Sequence, residues 1–164
     1  MKLKVPFYKQ DSDYTCGPTS LQMVFQFLGK FKSEATLAKE AQTDAEDGTT
    51  HAGMIDAARK GGFYCYANNE SSVEEIKSFL KNGLPAIVHF NEPSSDTGHY
   101  SVIVGAEKGN FILNDPWNGR NFKIDENDFL KRWYGAEHKN IHKKWIMVLS
   151  KDDFNLGKQY LPKN

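Results

Sequence analysis

The spacing of apolar residues changes at Pro85, and this change restricts the possible folds more than any other feature of the sequence. Before Pro85, apolar residues recur three and four positions apart, which is the period of buried amphipathic helices. After it, short aromatic and β-branched runs alternate with turn residues, a pattern typical of strands. Helices followed by a largely antiparallel sheet make an α+β fold.

Capping residues predict where the helices of the first half begin. The first helix begins at Cys16, where Gly17 and Pro18 suit an opening turn. Its apolar face consists of Leu21, Val24, Phe25 and Leu28. The other predicted helix starts are Ser33 for a second helix, Thr49 or Thr50 for a third, and the capping-box pattern Ser71-Ser72-Val73-Glu74 for a fourth.

The second half is predicted to contain five strands and one helix. Turn residues at 107–110 and 117–120 would join neighbouring strands as hairpins. The predicted strands are 86–90, 100–106, 111–115, 121–124 and 145–149, with an earlier strand at 63–67 and a helix from Asp125 to about Trp133.

Length and charge narrow the class of protein. A chain of 164 residues suits one domain, expected over residues 1–150, with a polar, peripheral tail over residues 151–164. Because 21 Lys and Arg balance 21 Asp and Glu, no net field recruits nucleic acid. No apolar stretch approaches the roughly 18 residues of a membrane span, so we expect a soluble, cytoplasmic chain without a membrane-spanning segment.

Cys16 is the candidate nucleophile. It follows a polar loop and stands at a helix start, where unpaired N–H groups and the helix dipole favour the thiolate, the reactive form. The alternative is a small buried core cysteine, which is the usual role of a free cysteine and the one we expect of Cys65. Cys16 and Cys65 could form one bridge, but two cysteines do not make a disulfide framework. A reducing compartment therefore fits the sequence as well as an oxidising one.

Among the five histidines, His99 is the candidate base. It follows the polar loop 91–97 at the start of a strand, where a side chain can line a cleft. His51 falls in a predicted helix and His89 in the middle of an apolar strand, whereas His138 and His142 lie in a Lys-rich segment.

A hairpin with its tip near residue 108 pairs positions that sum to about 216. Asp115 then falls opposite roughly residue 101, within a small register shift or a diagonal contact of His99. Asn114 and Asp115 point to opposite faces, so only one of them can be the partner. A strand-ending turn is the alternative role for Asp115.

Four elements in this order resemble the papain-like cysteine peptidases that remove double-glycine leader peptides from bacteriocin precursors. They are Gln10 followed by Cys16-Gly17-Pro18, then Gly-His-Tyr-Ser-Val-Ile-Val-Gly at 98–105, then Asn114-Asp115-Pro116, and finally Phe129-x3-Trp133-x-Gly135. The resemblance covers nearly the whole chain, from Gln10 to Gly135. In that family the domain is normally the cytosolic N-terminal part of an ABC exporter, and this sequence looks like a stand-alone relative for which no exporter partner can be named.

The resemblance implies a papain-like fold and a thiol peptidase acting on a peptide or protein. Cys16 would be the nucleophile, His99 the general base and acid, Asp115 the residue orienting the imidazole, and Gln10 an oxyanion-hole donor. An acyl transferase or amidase on the same fold, similar to phytochelatin synthases, is one alternative. A module that binds peptides without cutting them is another, although the complete set of four residues argues against it.

No metal or other cofactor is expected. His138 and His142 have the i, i+4 spacing of a helical zinc pair, but the sequence shows neither the HExxH glutamate nor an obvious third ligand.

Overall fold

The computed structural model describes residues 1–137 and 139–163 and has the predicted α+β architecture. Helices and strands follow one another as in the sequence prediction, with one additional hairpin. The elements are α1 Cys16–Phe27, α2 Glu34–Glu40, α3 His51–Lys60, β1 Tyr64–Asn68, α4 Val73–Lys81, β2 Ala86–Glu92, β3 Thr97–Glu107, β4 Asn110–Asp115, β5 Gly119–Asp125, α5 Glu126–Arg132, β6 Tyr134–Glu137, β7 Asn140–Lys143 and β8 Ile146–Ser150.

Side-chain caps define the starts of four helices. Asp125 caps α5, Ser33 and Thr50 cap α2 and α3 as predicted, and α4 is capped by Ser72, one residue after the Ser71 of the predicted capping box. The hydroxyls of Ser33, Thr50 and Ser72 accept hydrogen bonds from backbone N–H groups in the first turns of α2, α3 and α4. Each bond satisfies one of the N–H groups that a helix start leaves without a partner.

Six strands form one antiparallel sheet in the order β1-β8-β2-β3-β4-β5. Strands β6 and β7 form a separate hairpin that the sequence analysis did not predict. Its residues are mostly polar and exposed, so they carry no alternating apolar pattern.

The sheet is sandwiched between two groups of helices. Alternate strand residues face opposite sides, as Ile87 and Val88 do on β2. One side packs against α1, α2 and α3, and the other against α4 and α5. This arrangement holds the start of α1 against β3, which positions the site described below.

Both ends of the chain pack against the sheet. Lys2 bridges to Gly105, so the predicted extended N-terminal arm follows β3. The segment 151–163 is mostly exposed, and within it Tyr160 exchanges two backbone hydrogen bonds with Cys65 of the edge strand β1. An edge strand leaves a row of backbone groups unpaired, and the C-terminal segment satisfies part of that row.

Among the described residues, no helix combines the length and apolarity needed to span a membrane.

Candidate active site

Cys16 is the first residue of α1 and lies in a surface cleft of about 600 Å³. The preceding residue, Thr15, makes no side-chain cap, and the first turn contains no acidic residue. The positive end of the helix dipole is therefore left uncompensated beside the thiol. The backbone N–H of Tyr100 also donates to Cys16 Sγ at 3.4 Å, which further favours a negative sulfur.

Gly17 allows this helix start to approach the loop before α3. A Cβ at this position would lie 3.0 Å from both Met54 Sδ and Thr49 Oγ1, closer than ordinary contact. Tyr100 ties the same loop to β3, because its buried hydroxyl donates to Thr49 O at 2.8 Å. The start of α1, the loop before α3 and β3 thus meet around the sulfur.

His99 immediately precedes Tyr100 on β3, and its Nε2 lies 2.8 Å from Asp115 Oδ1. Both side chains are buried. Burial disfavours the charged imidazole, but the hydrogen bonds to Asp115 and to Cys16 outweigh it and raise the pKa of His99 to about 10. Since Nε2 faces Asp115, Nδ1 is the nitrogen left to exchange a proton with the thiol.

The same ion pair lowers the pKa of Asp115, whereas it raises that of His99. Burial alone would raise the pKa of its carboxyl, but the hydrogen bond and charge of His99 lower it, with help from the Asn118 N–H. Asp115 and His99 therefore form a buried carboxylate–imidazolium pair next to Cys16.

The β3–β4 register brings this pair together and confirms the register predicted from the sequence. Val102 pairs with Asn114, positions that sum to 216, so that Asp115 reaches His99 by a diagonal contact. Asn114 points away from the histidine and donates to Val5 O at 2.9 Å. Strand alternation therefore selects Asp115 as the partner.

Asp115 is held in place by the turn that follows it. Its Oδ1 accepts the backbone N–H groups of Trp117 at 3.0 Å and Asn118 at 2.8 Å. This arrangement is an Asx turn, in which a side-chain carboxylate replaces a backbone acceptor. The strand-ending turn considered as an alternative role is thus present together with the contact to His99.

Glu92 is a buried carboxylate near the site that the sequence analysis missed. It accepts hydrogen bonds from Ser94, Ser95 and Asn118, the last also lying beside Asp115. Burial opposes ionisation, but these bonds lower the pKa of Glu92 to about 2. The carboxylate fixes the turn before His99, yet the polar composition of that turn gave no sign that one acidic side chain would be buried.

Gln10 lies at the edge of the same region, tied to Asp115 through the next residue. Its backbone N–H donates to Pro116 O at 3.1 Å. The side-chain Nε2 donates to Ser12 O at 2.7 Å, and Oε1 is buried with no partner among the described residues. One amide hydrogen is therefore engaged within the loop, and the second remains available to another acceptor.

Cys65 and the two histidines with zinc-like spacing, which were also considered in the sequence analysis, are not among the candidate active-site residues. Cys65 is fully buried on β1, where burial raises the pKa of its thiol to about 12, as expected of a core cysteine. Of the two histidines with zinc-like spacing, which the sequence analysis rejected as a metal site, His138 lies outside the described residues and His142 is on β7 and not on a helix.

Comparison with known proteins gives consistent matches. The profile of the Peptidase_C39 like family matches residues 2–141. An uncharacterised protein of Methanothermobacter marburgensis is 37% identical over 127 residues, which are 77% of this chain and 82% of that protein.

Two solved structures share the fold. The peptidase domain of Streptococcus ComA, a bi-functional ABC transporter involved in a quorum-sensing pathway, gives a TM-score of 0.72 at 24% identity, covering 88% of this chain and 97% of that one. A double glycine motif protease from an AMS/PCAT transporter, solved with its leader peptide, gives 0.70 at 23% identity, covering 90% and 92%. The papain-like fold that the sequence resemblance implied is thereby confirmed.

Proposed function

Since this chain belongs to the Peptidase_C39 like family, we propose that it is a cysteine peptidase that cleaves a peptide bond through Cys16, His99 and Asp115. One observation carries the proposal. A thiol at an uncapped helix start lies beside a histidine whose other nitrogen is bonded to a buried carboxylate at 2.8 Å. A structural cysteine needs neither neighbour.

The reaction would begin from a thiolate–imidazolium pair, in which the proton of Cys16 already lies on His99 Nδ1 because the pKa of His99 is raised to about 10. The thiolate then attacks the carbonyl carbon of the substrate, and the negative charge moves to the carbonyl oxygen. The backbone N–H of Cys16 and the second amide hydrogen of Gln10 would stabilise that oxyanion.

Collapse of the tetrahedral intermediate breaks the C–N bond, and His99 donates its proton to the leaving amine. The acyl group remains on Cys16 as a thioester. Water, deprotonated by His99, attacks the thioester and releases the acid, which restores the thiol. Asp115 stays ionised throughout and holds the imidazole in the orientation and tautomer that both steps require.

We propose a peptide segment as the substrate, in keeping with the leader peptide bound to the related AMS/PCAT protease. A reducing, cytoplasmic location fits this activity, because both thiols of the chain are free. Acyl transfer is the second candidate function. It shares every step up to the thioester, after which an amine instead of water would accept the acyl group.

Mass spectrometry of cell peptides incubated with the protein and with Cys16→Ala tests the proposal. We expect new peptide termini only with the unaltered protein, and adding amine acceptors shows whether the acyl group goes to water or to an amine. If the two samples contain the same peptides while both proteins retain them on a column, the chain is a binding module and not a peptidase.

Iodoacetamide will alkylate Cys16 much faster than Cys65 at neutral pH. Cys16 lies in the cleft beside His99, whereas Cys65 is fully buried and its thiol has a pKa raised to about 12. Peptide mapping after timed labelling measures both rates in one sample. Equal rates, or earlier labelling of Cys65, would show that Cys16 is not activated.

A further inference from the structure

Three histidines from distant parts of the chain converge beside the cleft. His51 begins α3, His89 lies on β2 and His142 on β7. Each presents one ring nitrogen to the others, and these three nitrogens all lie within 4.8 Å of one another. His51 Nε2 and His89 Nδ1 are 2.9 Å apart. None of the three has a role in the proposed peptidase mechanism.

The imidazole of His142 has buried polar atoms that the described protein does not satisfy. Both of its ring nitrogens are inaccessible to solvent and have no hydrogen-bond partner among the described residues. Leaving a buried polar atom unpaired destabilises the folded state. A bound species that accepts nitrogen lone pairs would remove that cost.

The rings are held in place from several sides. His51 stacks on Trp145 with ring centroids 4.0 Å apart, and His89 stacks on Tyr100 at 4.3 Å. Gly135 leaves room for the third ring, because a Cβ there would lie 2.7 Å from His142 Nε2. Rigid packing of this kind is what a preorganised ligand set requires.

Burial disfavours the charged form of each imidazole, and the neutral form is the one that binds metal ions. Burial, and then the charge of His142, lowers the pKa of His51 to about 3, and burial first of all holds the pKa of His89 well below its usual range. Burial also lowers the pKa of His142.

Glu137 supplies a carboxylate behind this cluster. Its Oε2 accepts the backbone N–H of His51 at 2.9 Å and lies 3.7 Å from His51 Nδ1. At 3.7 Å the carboxylate makes no hydrogen bond to the ring, but its negative charge favours a proton on Nδ1, which leaves Nε2 free to bind a metal.

We propose that His51, His89 and His142 form a binding site for a divalent transition-metal ion such as Zn²⁺, with Glu137 as the carboxylate partner of His51. Nitrogens bound to a tetrahedral zinc at about 2.0–2.1 Å lie about 3.3–3.4 Å apart. The His51–His89 separation is 2.9 Å and the other two are at most 4.8 Å, so the three nitrogens lie close enough together for one ion to replace the His51–His89 hydrogen bond. Three histidines leave the fourth position for water.

The ion would fasten the β6–β7 hairpin to α3 and β2. The hairpin lies outside the six-stranded sheet, and its residues Ala136 and Glu137 line the cleft that contains Cys16. Because His89 also stacks on Tyr100, the ion would stiffen the cleft wall without taking part in the reaction. The proposed metal site departs from the sequence analysis, which expected no metal.

Metal titration of the Cys16→Ser protein tests the site with the reactive thiol removed as a ligand. Chelator-stripped protein is titrated with Zn²⁺ against a chromophoric chelator, and with Co²⁺ while its visible d–d absorption is recorded. We expect one ion per chain, a four-coordinate Co²⁺ spectrum without thiolate charge-transfer bands, and a higher thermal unfolding temperature with Zn²⁺.

His142→Ala in the same background is the decisive variant, because this residue lies on the peripheral hairpin and its loss should leave the fold intact by circular dichroism. Removing a direct ligand should weaken Zn²⁺ binding by more than the roughly 10–100-fold that a lost outer partner causes, which is the loss expected of Glu137→Gln. His99→Ala and Lys143→Ala are matched controls that should retain binding. The proposal is overturned if the parent binds no ion, if His142→Ala binds as the parent does, or if His99→Ala abolishes binding.

Discussion

Replacing either Cys16 or His99 with alanine will abolish peptide turnover while leaving the protein folded. The first change removes the nucleophile, and the second removes the group that takes its proton and returns it to the leaving amine. His99 belongs to neither apolar cluster of the sheet, and Cys16 is only a small, partly buried side chain packed against one of them. Turnover is measured with a peptide identified by mass spectrometry, and circular dichroism reports the fold.

His89→Ala is the comparison that tests the choice of histidine. His89 hydrogen-bonds His51 and not Asp115, so its loss should leave turnover measurable. If His89→Ala abolishes turnover in a folded protein and His99→Ala does not, the assigned base is wrong.

Asp115 should behave differently, because it orients the imidazole and transfers no proton. Asp115→Ala should retain measurable activity, and Asp115→Asn should change the pH dependence of turnover.

The folded-state pKa of His99 is raised to about 10, so the ion pair stabilises the protein fully below about pH 6.5, and that stability is lost as the pH rises through about 10. The lowered pKa of Asp115 sets the acid side, where the stabilisation disappears as the carboxylate protonates.

Turnover needs a protonated His99 to expel the amine. The rate of turnover should therefore fall on the basic side of its pH profile, the basic limb, near pH 10 in the unaltered protein. Without the Asp115 charge the pKa of His99 falls, and the limb of Asp115→Asn should move to lower pH. An unmoved limb would mean that Asp115 does not control the imidazole.

Gln10→Ala will lower kcat by about 10²–10³-fold, or about 3–4 kcal/mol, the usual effect of removing one oxyanion donor. The amide of Gln10 has one hydrogen on Ser12 O and one available, and only the available hydrogen would bond the developing oxyanion. Substrate affinity should therefore change little. The rate of Cys16 alkylation should stay near that of the unaltered protein, because His99 and the helix start favour the thiolate.

The structure adds a second possible outcome to this experiment, because Gln10 is buried and also braces its own loop. Gln10→Met keeps the length of the side chain and removes the donor, so it separates the two roles. If turnover and alkylation fall together in both variants, Gln10 supports the loop and the oxyanion assignment fails. If both rates are unchanged, the residue has no role in turnover.

Local signals in the sequence determined much of this protein. Ser33 and Thr50 cap helices as predicted, because capping involves residues only three positions apart, and the fourth helix is capped by Ser72, one residue after the predicted Ser71. The tight turn between β3 and β4 set the register of that hairpin, and strand alternation then separated Asp115 from Asn114. These relations extend along one element or across one turn, and so the sequence alone carries them.

Contacts between distant segments were decided only by the tertiary structure. The burial of Glu92, the meeting of His51, His89 and His142, and the docking of Tyr160 on β1 leave no periodic trace along the chain. A polar residue looks the same in the sequence whether it faces water or a buried partner. Its environment depends on which surfaces the packed helices and sheet bring together, and that depends on side-chain volumes throughout the core.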